Sequence, residues 1–177
     1  KALKNPEQLS KEREKEIDKM ASLAEEWKDK YDDILIIGGE ESGSRMAFTA
    51  LAEEKWNNLS KSERGGFPKI HFVNIDNVTE IAGAINPEKT GIVVIGDSIS
   101  RSNLAAWGFL QKEYSNRNMP ITSRIAIVGN LKDTLLPLSE GGAVPFENQF
   151  SIPEGLGDMD SFFSAAGLLP LVLAGKI

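Results

Sequence analysis

The side chains best placed to do chemistry in this sequence are carboxylates, hydroxyls and one arginine, gathered in two short loops. GGEESGS (38–44) groups Gly38, Gly39, Glu40 and Ser42, and GDSISRS (96–102) groups Asp97, Ser98, Ser100 and Arg101. Glycines that open a helix leave backbone N–H groups available to an anion, although a tight strand-to-helix turn uses them for steric reasons alone. Ser98, Ser100 and Ser102 can cradle a phosphate at a helix N-terminus or simply cap it. Arg101 is the only cation in its loop, which makes it the best single contact for a phosphate or carboxylate. Glu40 and Glu41 oppose an anion at the mouth of the first loop and equally suit the first turn of a helix.

The rest of the catalytic repertoire is thin. The 177 residues include no cysteine and one histidine, so thiol nucleophiles, disulfides and zinc sites built on Cys or several His are excluded. His71 falls at the start of an apolar run. In a parallel sheet that is the end away from ligands, so a hydrogen-bonded or surface role is expected for it. Candidate general bases are then carboxylates: Glu40, Asp97, Asp158 and Asp160. No metal-loop spacing appears, and neither a metal nor a cofactor is expected.

Composition sets the class. With 20 basic and 26 acidic residues the net charge is −6, which argues against a general nucleic-acid binder. No apolar run reaches the roughly 18 residues of a membrane span. The charged N-terminus lacks the apolar core of a signal peptide, and a cytoplasmic protein is expected.

Four apolar runs must position these loops: 34–37, 70–75, 91–95 and 123–128, with a fifth, edge-type strand at 146–151. Helices are expected at 7–29, 43–56, 78–85, 102–114 and 161–176, with Asn77 or Thr79 capping the third. Phe162, Phe163, Trp107 and Leu168 to Leu173 read as core. Short apolar strands alternating with helices mean an α/β three-layer sandwich on a mostly parallel sheet of about five strands. One globular domain is expected, with residues 1–32 an amphipathic helix packed on an α/β unit at 33–177. Ligands bind outside the carboxyl ends of such strands, which selects loops 38–44, 76–79, 96–102 and 129–133.

Four motifs carry a family resemblance. IPEGLGDMDSFFSAAGLLPLVLAGKI (152–177) resembles the signature that closes the first sugar-isomerase (SIS) domain of glucose-6-phosphate isomerases, with Gly157, Ser161, Ser164, Ala165, Gly167, Leu168 and Pro170 matching. IIGGEESGSRMAFTAL is similar to the family's glycine turn, keeping Gly38, Gly39, Gly43 and Arg45. HFVNIDNVTEIAGAINPEKT is similar to the strand and helix that follow, including Asn74, Asp76 and Asn86-Pro87. VVIGDSISRSNLAAWGFLQKE falls where the family has its phosphate loop. The resemblance covers about residues 33–177 and implies the SIS fold, with a sugar phosphate held at the strand ends.

The departures from the family pattern fall on ligand positions. Glu40 replaces the serine of the glycine turn. Gly96 and Asp97 replace the first serine and the lysine of the phosphate loop, Ser100 and Arg101 its paired threonines, and Asn103 the glutamate beyond. Asp158, Met159 and Asp160 stand where the family has Gly-Arg-Phe. One like-charge pair at ~4 Å and an effective dielectric near 20 costs about 4 kcal/mol, so phosphate binding is expected to weaken badly. The family's catalytic Glu and His belong to the second half of the enzyme, beyond this segment. Framework kept and site replaced is the pattern of scaffold redesign. The expectation is therefore an engineered, isolated SIS domain: a binding scaffold for a small molecule at the strand ends, not a competent isomerase. The alternatives are a designed enzyme with a carboxylate base, a diverged natural sugar-phosphate-binding fragment, and a homodimer formed through the former interdomain surface.

Overall fold

The structure, a computed structural model, describes residues 6–38, 44–96, 100–129, 146–152 and 163–177. Its elements run α1 (Pro6–Lys30), β1 (Asp33–Ile37), α2 (Ser44–Glu53), β2 (Lys69–Val73), α3 (Val78–Ala84), β3 (Thr90–Ile95), α4 (Arg101–Asn116), β4 (Ile125–Val128), β5 (Gln149–Phe150) and α5 (Ala165–Leu173). All five strands are parallel, in the order β2-β1-β3-β4-β5. The expected α/β sandwich is what forms.

The sheet's two faces build two cores. Ile34, Ile36, Val93, Ile95, Ala126 and Val128 pack under α1, α2 and α5. Leu35, Ile37, Ile92, Val94, Ile125 and Ile127 pack under α4, with Val78 of α3. The central strands are apolar over Ile34–Ile37, Ile92–Ile95 and Ile125–Val128 because both faces are covered there. Gly91 makes room on β3 for the buried Trp27 of α1, whose ring a Cβ there would approach to 2.8 Å. α5 carries no polar face because it is buried along nearly its whole length, packed against α1 and α2.

Several elements are shorter than the sequence predicts. β2 stops at Val73, level with the end of its partner β1 at Ile37, and on its outer side the Asn77 side chain accepts from the Asn74 N–H at 2.9 Å and donates to the Phe72 carbonyl at 3.1 Å. Asn77 therefore precedes α3 without a capping bond. β4 begins at Ile125 because Thr122–Arg124 form a 3₁₀ turn. α2 ends at Glu53, and Trp56 sits in a separate 3₁₀ turn after Lys55, which has φ 52°. β5 shrinks to two residues: Phe146–Asn148 form a 3₁₀ turn before it, and the Ser151 N–H beyond it is taken by Glu16 at 3.1 Å. Trp107 is core, as expected, but Phe163 is 71% exposed, because it precedes the Ser164 cap and stands outside the buried helix. Phe162 lies outside the described residues.

No helix among the described residues is long and apolar enough to cross a membrane.

Candidate functional site

β1 has β2 on one side and β3 on the other, so the chain reverses its winding direction between β1 and β3. At such a switch point the two following loops diverge and leave a crevice at the carboxyl ends of the strands. Two of the sequence-selected loops, 38–44 and 96–102, leave β1 and β3 there. The helices that follow open on opposite faces: α2 at the fully buried Ser44, and α4 at Arg101.

Glycine ends the three central strands. Gly38 has φ +92°, and a Cβ on it would lie 1.9 Å from the Ile95 carbonyl oxygen. Gly129 has φ +107°, and a Cβ there would lie 2.1 Å from the Gly96 carbonyl oxygen. No L side chain fits either position, for conformation and for space. The Gly96 N–H donates to Val128 at 3.0 Å and the Gly129 N–H to Phe150 at 2.8 Å, so the ladder runs one residue past the strands. The result is a side-chain-free rim across β1, β3 and β4.

The rim leads to the start of α4. The Ser100 hydroxyl caps this helix, accepting from the Asn103 N–H at 3.2 Å. Asn103 is buried, Ser102 is half-buried and Arg101 is exposed. Capping is thus the role the structure gives Ser100, and Arg101 remains available to an anion at the positive end of a sixteen-residue helix.

Of the sequence-selected residues, the structure brings Gly38, Ser100 and Arg101 to this edge. Gly39, Glu40, Ser42, Asp97, Ser98, Asp158, Met159 and Asp160 lie outside the described residues. Sequence reasoning gave Gly96 and Gly129 no role in the rim. Each ends an apolar run, but their mutual contact joins positions over thirty residues apart and has no local signal.

The opposite end of the sheet is tied by polar side chains. His71 Nε2 lies 2.7 Å from Asp33 Oδ1, both half-buried, at the amino end of β1. The expected hydrogen-bonded role for His71 is the observed one. Arg124 donates to the carbonyls of Pro87 at 2.8 Å and Thr90 at 3.3 Å. Tyr114 donates to Pro87 at 3.2 Å, and burial pushes its phenol up, against the pull of the Arg124 guanidinium over its ring.

No family model matches the chain. Curated proteins do match it. The glucose-6-phosphate isomerase of Carboxydothermus hydrogenoformans is 32% identical over 176 residues, covering 94% of this chain and 36% of that protein. This chain is a relative of the glucose-6-phosphate isomerases. The enzyme of Alkaliphilus metalliredigens is 29% identical over 170 residues, covering 90% of this chain and 37% of its own. The chain thus spans little more than a third of the length of these relatives. Among solved structures, a glucose-6-phosphate isomerase from Chlamydia trachomatis shares the fold with a TM-score of 0.65 at 20% identity, covering 98% of this chain and 32% of that one. The NanR protein of Vibrio vulnificus, solved with ManNAc-6P, has a TM-score of 0.51 at 18% identity, covering 90% of this chain and 53% of that one.

Proposed function

We propose that this chain is a sugar-isomerase-type unit that binds a sugar phosphate weakly at the carboxyl edge of its sheet and does not isomerise it alone. The observation that carries the reading is the glycine rim at the β1/β3 switch point, leading to the Ser100-capped start of α4 with Arg101 beside it. Kinship with glucose-6-phosphate isomerases and a fold shared with a protein solved with ManNAc-6P support the ligand class.

Weak binding follows from residue types. The phosphate loop carries Asp97 where the family pattern has lysine, and Arg101 is its one cation. A like-charge penalty of about 4 kcal/mol would move a micromolar site to about millimolar. The lack of turnover rests on His71: the one histidine of the sequence is tied to Asp33 at the amino end of the sheet, away from the rim. An imidazole near the ligand would be the ordinary acid–base group close to neutral pH.

Titration calorimetry with fructose 6-phosphate, paired with a coupled isomerase assay, tests both parts. The reading predicts saturable weak binding with no turnover above blank. Turnover, or no heat up to tens of millimolar ligand, would overturn it.

A further inference from the structure

Among the described residues β2 is the longer edge of the sheet, five residues against two in β5. Its inward backbone groups pair with β1, and its outward ones belong to Ile70, Phe72 and the following Asn74. A long apolar edge strand is a template for pairing with another chain. Here two side-chain amides occupy it. Asn57 donates to the Ile70 carbonyl at 2.7 Å and accepts from the Ile70 N–H at 2.9 Å. Asn77 does the same for the Phe72 carbonyl and the Asn74 N–H. An asparagine amide reproduces the donor and acceptor of a peptide group, so each stands where a neighbouring strand would put one.

The surroundings favour strand pairing once the amides are gone. A groove of about 320 Å³ straddles the edge, with Phe48, Leu51 and Phe72 among its walls, and His71 and Ile81 beyond. Phe48 is 49% exposed and meets Phe72 edge-on at 5.2 Å. Such walls would receive the side chains of an added strand. The edge is also self-complementary: Lys69 stands at one end and Asp76 just past the other. Two copies related by a two-fold axis would run antiparallel and bring Lys69 of each toward Asp76 of the other.

We propose that Asn57 and Asn77 are edge guards, whose amides keep β2 from pairing with β2 of a second copy. Asn57 is held in place for this by its neighbour Trp56, which is buried and donates from Nε1 to the Pro68 carbonyl at 3.0 Å. Capping two backbone groups at once is the role that distinguishes these asparagines from ordinary loop residues.

Sedimentation velocity on Asn57→Ala and Asn57→Lys, against the parent chain, tests the proposal. Both substitutions remove the amide, but lysine leaves a charge that refuses a pairing strand. Asn57→Ala should self-associate about tenfold more strongly than the parent, with amide exchange slowed at Ile70 and Phe72 in the associated state. Asn57→Lys should keep the parent's sedimentation. An Asn57→Ala chain that sediments like the parent overturns the proposal. So does equal association of both variants, since lost stability and not the open edge would then be driving it. If Asn57→Ala does not fold, Asn77→Ala and Asn77→Lys are read in the same way.

Discussion

The two ends of one sheet are finished in opposite ways. At the amino ends of the strands, side chains close the structure: Asp33 on His71, Lys61 on Asp32, Arg124 on the Pro87 and Thr90 carbonyls, and Asn148 on the Ile125 carbonyl at 3.1 Å. At the carboxyl ends, Gly38, Gly96 and Gly129 carry no side chain, and their backbones approach closely enough to forbid one at Gly38 and Gly129. Side-chain hydrogen bonds satisfy buried carbonyls and hold the strands in register. Bare backbone leaves room for a ligand to come close to the strand ends and to the start of α4. In an open parallel sheet, the first end reads as stability and the second as binding.

Substitution at the bare end should have the largest effect. Gly38→Ala forces a Cβ against the Ile95 carbonyl at a positive φ and should cost about 3–5 kcal/mol, read by chemical denaturation. A change below ~1 kcal/mol would mean that the rim is loose, and that its glycines are not required by packing.

The tied end should yield less per residue. Arg124→Ala leaves the Pro87 and Thr90 carbonyls without their charged donor and should cost roughly 1.5–3 kcal/mol, with no effect on ligand binding. Loss of sugar-phosphate affinity in this variant would break the division between the two ends.

Ser100→Ala removes the cap of α4 and should cost about 1 kcal/mol. Because this helix opens on the rim, the variant should also lose affinity, which separates it from Arg124→Ala.

The smallest effect is one of pH. The Tyr114 phenol titrates above its usual value of about 10 because it is buried. The folded chain then holds that proton longer than the unfolded chain does. The stabilisation is complete below the ordinary phenol value and is lost as pH rises through the raised one. Denaturation midpoints should therefore fall faster above pH ~10 in the parent than in Tyr114→Phe. Parallel curves would show that Tyr114 does not contribute.

The sequence made the strands legible because their chemistry is local. Ile34–Ile37, Ile92–Ile95 and Ile125–Val128 are apolar at every position, as strands covered on both faces must be. The strand ends were not legible, because remote side chains decide them: Glu16 takes the Ser151 N–H across 135 residues. Phe163 shows the same limit, since composition placed it in the core and the boundary of α5 left it outside. Within the site, position was readable and contact was not. The switch-point rule picked the loops of Gly38, Ser100 and Arg101, while the seating of Gly129 on Gly96 depends on neighbours that only the fold supplies.

Backbone amide shifts followed by ¹H–¹⁵N NMR during a fructose 6-phosphate titration test the contrast between the two ends most directly. The account predicts saturable shifts at Gly38, Gly96, Ser100, Arg101 and Gly129, with Asp33, His71 and Arg124 unmoved. Shifts concentrated at Asp33, His71 and Arg124, with the glycine rim silent, would contradict it.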